Sequence, residues 1–230
     1  MDGSGAPAPR RRPLEGGYAR GEETRERIIE AAFIVFAEEG YAGASTRRIA
    51  AEAGVNPPAL QYYFDSKEGL HRACGQTAID RVMRDLGPAI EQARAALAAG
   101  SRPAAVEALC GLVEAIADLG MRDREAEGWR RFMGMGQTDR VGPAFSMMEA
   151  DFATPLRALS TALVGRALDL PPGDPAAPLH TLLIFSVGPA LHMKRDSILE
   201  LMGWSDFDGE RAAQVKRILR QQVMRICQVG

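Results

Sequence analysis

Between Ser45 and Lys67 the chain reads STRRIAAEAGVNPPALQYYFDSK. The run gathers groups able to address both parts of a DNA duplex. Arg47, Asn56, Ala59 and Gln61 are candidates for base edges, and glutamine pairs bidentately with adenine. Thr46, Tyr62, Tyr63 and Lys67 carry hydroxyl or ammonium donors of the kind that hold phosphates. Phosphate contacts position a protein, and base contacts specify the sequence.

The elements that must present these groups can be read from caps and turns. Ser45 or Thr46 can cap a short helix, because a hydroxyl accepts from the orphan N–H groups of the first turn. Ile49, Ala50 and Ala53 form one narrow apolar face. Gly54 stands where a helix stops by entering the left-handed region, and Val55 follows as an apolar plug. Asn56 is a second N-cap, Pro57 suits the first helical position, and Pro58 still lies in the turn whose N–H groups lack partners. The second helix runs from about Pro57 to Tyr63, with Leu60 and Phe64 inward. Ser66 caps the next helix, and Glu68 suits its macrodipole. Two ordinary helices joined by a glycine turn would share part of this layout. The full string reads as a helix-turn-helix, whose second helix starts in the major groove.

The string resembles the DNA-binding domain of the TetR family of bacterial transcriptional regulators. The matching residues are Thr24, Ile28, Ala31, Ala32, Phe36, Gly40, Tyr41, Thr46, Ile49, Ala50, Ala53, Gly54, Val55, Leu60, Tyr62, Phe64, Lys67 and Leu70. Three positions depart from the family pattern. Pro58 stands for a usual glycine, Ala59 for a threonine or serine, and Gln61 for a tyrosine. Thr24, Arg25, Ser45 and Pro57 join the expected DNA-facing set. The tail ILELMGW resembles a subgroup with a shared C-terminal domain. The resemblance implies a helical effector-binding and dimerisation domain, and a repressor released from a palindromic operator by a small apolar molecule.

Composition suits a soluble globular chain, with 46% hydrophobic and 25% charged residues. Cys74, Cys110 and Cys227 show neither metal spacing nor a disulfide framework, which suits a reducing cytoplasm. His71, His180 and His192 do not cluster with them, so no metal and no cofactor is expected. No apolar run approaches the roughly 20 residues of a membrane span.

Net charge is −2. Residues 22–72 hold six cations against nine carboxylates, a net of −3, while residues 1–20 carry +2. Phosphate affinity must then come from local placement. Arg10, Arg11 and Arg12 lie in a Gly/Pro-rich stretch expected to be a disordered arm, either a plain tail or one entering a minor groove.

The periodicity predicts an all-α fold of about nine helices. Residues 21–72 form the helix-turn-helix domain, and a long helix over 67–98, with Gly87-Pro88 as a place to kink, leads into residues 73–230. Helices are expected at 22–39, 103–120, 123–135, 143–168, 180–202 and 208–227. The apolar helix 180–202 and amphipathic helix 208–227 either close the monomer core or form a homodimer face; two half-sites favour the dimer. Trp129, Phe132, Met133, Phe145, Met148, Phe152, Phe185 and His192 are the candidate pocket residues, since pockets are mostly apolar with few polar anchors. The same types at helical spacing also build ordinary cores.

No nucleophile elbow, phosphate-binding loop or HExxH pattern points to an enzyme. The alternative is a helical adaptor without DNA binding, suggested by the acidic head. If the arm meets phosphates, a chain lacking residues 1–20 binds its operator with a shallower salt dependence. The log–log slope falls by about 0.9 for each phosphate the arm no longer neutralises, as measured by fluorescence anisotropy across a salt series; an unchanged slope refutes the arm's role.

Overall fold

The computed structural model describes residues 15–121, 127–138 and 141–228. Among these, every regular element is helical: α1 Glu15–Gly43, α2 Thr46–Glu52, α3 Pro57–Phe64, α4 Lys67–Ala99, α5 Arg102–Met121, α6 Glu127–Thr138, α7 Pro143–Met148, a π turn Glu149–Ala153, α8 Thr154–Ala167, α9 Ala176–Phe185, α10 Val187–Met193, α11 Arg195–Met202 and α12 Gly209–Gln228. The α7–π–α8 and α9–α11 runs are each nearly continuous, so the segments join into nine rods among the described residues.

Several boundaries differ from the sequence expectation. The first helix starts at Glu15 rather than at 22, so part of the expected arm is helical; extending a nucleated helix adds one bond per residue fixed. Arg10, Arg11 and Arg12 lie outside the described residues. Gly40 leaves helical geometry at φ 69°. Pro88 sits inside an unbroken α4. The apolar helix expected at 180–202 starts at Ala176 and breaks near Ser186 and Lys194.

The packing follows the apolar stripes. Ile28, Ile29, Ala32, Phe33 and Phe36 of α1 are buried, and α1 packs on α2, α4 and α6. In the body, α5 is central, packing on α4, α8, α10 and α12. Its acidic edge holds α12: Lys216 meets Asp118 at 3.1 Å, and Arg220 meets Glu114 at 3.2 Å and also Glu107. Arg102 donates to the carbonyls of Ala167 at 2.9 Å and Cys227 at 2.6 Å, tying the ends of α8 and α12 together.

Head and body share one core at His71 of α4. Its ring lies 4.6 Å from those of Phe36 and Tyr41, and 5.6 and 5.5 Å from those of Phe132 and Phe145. The backbone N–H of Ala144 donates to its Nδ1 at 3.1 Å. Gly142 passes so close, at φ 110°, that a Cβ there would lie 2.7 Å from the imidazole.

Burial, helped by the Lys67 ammonium, pushes the His71 pKa down from 6.5 to about 4. Above pH 6.5 the folded and unfolded chains both carry it neutral. As pH falls from 6.5 to about 4, the unfolded chain gains a proton that the folded chain refuses, so stability falls. The loss from this group approaches about 3 kcal/mol. Urea midpoints across that window are expected to fall more steeply for the wild type than for His71→Gln.

Candidate nucleic-acid interface and effector cavity

The helix-turn-helix is capped as its residue types require. Ser45 Oγ accepts from the Arg48 N–H at 3.2 Å, Asn56 Oδ1 from the Ala59 N–H at 2.9 Å, and Ser66 Oγ from the Gly69 N–H at 3.0 Å. Gly54 turns at φ 64°, and Val55 N–H closes the turn onto the Ala50 carbonyl at 2.9 Å. Ile49, Ala50, Leu60 and Phe64 face inward and are buried.

The opposite surface gathers most of the expected DNA-facing residues. Arg47, Asn56, Pro57, Gln61 and Tyr62 are exposed, while Thr46, Ala59 and Tyr63 are half-buried. Tyr62 is 82% exposed and stands edge-on to Tyr63 at 5.3 Å. Thr24 and Arg25 on α1 are half-buried and already engaged. Thr24 Oγ1 donates to the Arg20 carbonyl at 2.8 Å, and Arg25 stacks over the Phe64 ring at 5.4 Å.

Two cations are already engaged within the head. Arg48 meets Glu52 at 2.6 Å, Glu39 at 3.7 Å and Glu38 at 3.8 Å. The hydrogen bond to Glu52 leads the causes that raise its pKa. Lys67, expected on phosphate, is placed differently. Its Nζ donates to the carbonyls of Tyr41 at 2.8 Å, Ala44 at 3.0 Å and Ala42 at 3.3 Å. An ammonium has three donors, and here all three are directed at the end of α1, where a cation suits the helix dipole.

A cavity of about 420 Å³ lies between α4, α5, α6, the π turn, α8, α9 and α10. Such a volume is within the range of small-molecule sites, roughly 300–1,000 Å³. Trp129, Met133, Phe152 and Phe185 line it as expected. Phe132, Phe145 and Met148 do not line it. They are buried in the core, where Phe132 stacks on Phe145 at 5.0 Å. The His192 side chain lies outside what the structure describes. Sequence reasoning missed Val82 and Leu86 on α4, Ile116 on α5, and Leu156, Arg157 and Ser160 on α8. Their spacing marks a face of each helix but not which faces meet.

The π turn reshapes this wall. Glu149 opens it and accepts from Arg157 Nη2 at 2.9 Å and from Thr154 Oγ1 at 3.2 Å. Such turns occur often at functional sites, and this one supplies Phe152 and Ala153 to the cavity.

Residues 28–74 match the family described as bacterial regulatory proteins, tetR family. Residues 105–228 match the C-terminal domain of the HTH-type transcriptional dual regulator CecR. The chain is 28% identical over 200 residues to that dual regulator from Shigella flexneri, covering 86% of this chain and 88% of the relative. Among solved structures, a transcriptional regulator from Pseudomonas aeruginosa PAO1 superposes with a TM-score of 0.61 at 22% identity, over 90% and 91% of the two chains. AibR, solved with isovaleryl coenzyme A and operator DNA, superposes with a TM-score of 0.57 at 16% identity, over 86% and 97%.

Replacing Lys67 by methionine removes one cation from three carbonyls. The expected loss is about 1–3 kcal/mol, the range for stranding partners of a hydrogen-bonded group. It is read as a lower urea midpoint at unchanged m-value; an unchanged midpoint refutes the clamp.

Proposed function

The chain belongs to the TetR family of bacterial regulatory proteins and carries the C-terminal domain of the dual regulator CecR, and from that premise we propose that it is a homodimeric repressor released from a palindromic operator by a small organic effector. It is a DNA-binding transcriptional regulator, not an enzyme. The observation that carries the effector reading is the placement of α4. Val82 and Leu86 of this helix line the cavity, and its first turns, through Lys67 and His71, hold the head.

In this reading Arg47, Ala59 and Gln61 meet base edges, with the Asn56 amide beside them. Thr46, Tyr62 and Tyr63 meet phosphates. Lys67 positions the head instead of touching DNA. Ligand in the cavity shifts α4, so the two recognition helices no longer match half-sites one DNA turn apart. Linkage then requires DNA to weaken effector binding by the same factor. The AibR structure, with both isovaleryl coenzyme A and operator DNA, supports a cavity and a head that work in one molecule.

Apolar surface left open on one copy supports the dimer. Leu179, Leu182 and Leu183 of α9 are 63%, 67% and 68% exposed, and Ile218 and Met224 of α12 are also exposed. Exposed apolar patches mark interaction sites, and a two-fold interface covers them with themselves. The free, buried cysteines suit a reducing cytoplasm.

The test is a footprint and anisotropy titration on the DNA upstream of the protein's own gene. A protected palindrome at low salt is expected, and no binding to any palindromic site sinks the reading. Arg47→Ala is expected to weaken operator binding by about 1–3 kcal/mol and to relax preference at the base pair it meets. Gln61→Ala costs about 1–3 kcal/mol at one base pair and relaxes preference there. Arg48→Ala, whose charge is already answered by three glutamates, is expected to change affinity less than Arg47→Ala.

A further inference from the structure

We propose that the effector is an amphiphile with an apolar chain and a single carboxylate or phosphate, the anion seated between Arg157 and Thr161. The inference rests on the cavity being the effector site. Among the described residues lining that cavity, Arg157 alone carries a formal charge. Its buried hydroxyls are committed as donors: Ser160 to the Leu156 carbonyl at 2.8 Å and Thr181 to the Ala177 carbonyl at 2.8 Å. Ser186 likewise donates to the Leu183 carbonyl at 3.0 Å. A polar, uncharged ligand therefore finds few donors inside, whereas an alkyl or aryl body finds Leu86, Trp129, Phe152 and Leu156.

Arg157 stands at the rim. Its side chain is 55% exposed, and it lines both this cavity and a second one beneath the loop at 169–175. Thr161 follows one turn along α8, on the same face, and also lines both cavities. A chain inserted tail-first into the apolar cavity brings its head to this pair. Arg157 already shows the chemistry: Nη2 donates to the Glu149 carboxylate at 2.9 Å. A guanidinium has five donors in a planar fork, so an incoming anion either shares the fork or displaces Glu149. Displacement frees the residue that opens the π turn and leads directly back into α7, whose Ala144 N–H holds His71. The anion would thus be the part of the effector that the head senses.

The experiment is calorimetric titration of the full-length protein with octanoate, octyl phosphate and 1-octanol, whose chains match and whose heads differ. An anion is expected to bind about tenfold tighter than the alcohol, and whichever of the two binds better fixes carboxylate or phosphate. Arg157→Gln is expected to erase the difference while leaving 1-octanol binding as it was. Glu149→Gln is expected to strengthen anion binding, because the competing carboxylate is gone. Equal affinity for all three, with no response to Arg157→Gln, overturns the anion seat and leaves the cavity reading standing. No binding by any of them, with Phe152→Trp also without effect on operator release by cell extract, overturns both.

Discussion

The hydrogen bond from the Ala144 N–H to His71 Nδ1 sets the terms for the rest of the molecule. An imidazole that accepts at Nδ1 must keep its lone pair there, so the neutral ring carries its proton on Nε2. Among the described residues Nε2 is buried without a hydrogen-bond partner, a cost tolerated because four aromatic rings surround the imidazole. Edge-to-face geometry is the favoured one for such rings. The chain must also bring α7 close enough for its N–H to reach. Gly142 makes that approach possible, since a Cβ would strike the imidazole and φ 110° suits only glycine. Helix α1, through Phe36 and Tyr41, and helix α6, through Phe132, then close around the same ring.

A second constraint is electrostatic. The head carries more carboxylates than cations, and it uses part of its positive charge on itself. Arg48 answers Glu38, Glu39 and Glu52. Exposed ion pairs of this kind add little stability, but they remove a guanidinium from the surface that would face phosphate. Lys67 is directed at the carbonyls of Tyr41, Ala42 and Ala44, at and just past the end of α1. Arg47 remains exposed beside the recognition helix. The head therefore offers phosphate a few placed donors and helix N-termini rather than a basic face.

The helix-turn-helix is legible in the sequence because its rules are local. Ser45, Asn56 and Ser66 cap within three residues of themselves, and Gly54 declares its own turn. The all-α body is legible for the same reason, since the 3.6-residue period survives in α5, α8 and α12. Three things are not legible. The faces that meet are hidden: Phe132 and Phe145 look like pocket residues by type, yet they pack on His71, while Val82 and Leu86 of α4 line the cavity. The use of Lys67 is hidden too, because its partners lie 23 to 26 residues away. The π turn leaves no pattern at all, because one extra residue per turn changes the register without changing composition.

The magnitudes decide whether such a junction can carry regulation. Releasing an operator about a hundredfold needs a coupling of about 2.7 kcal/mol. A neutral hydrogen bond contributes about 0.5–1.5 kcal/mol, and each aromatic pair about 0.5–1.5 kcal/mol beyond its buried area. Breaking the Ala144–His71 bond and two of the ring pairs together supplies about 1.5–4.5 kcal/mol, a range that brackets the coupling required. Breaking the bond alone is not enough. Packed cores have discrete arrangements rather than a continuum, so in the proposed release α7 would leave His71 together with its neighbour Phe145 rather than slide by a fraction of an ångström. The shortest physical route for that push is the π turn, which joins the last residue of α7 directly to the cavity wall.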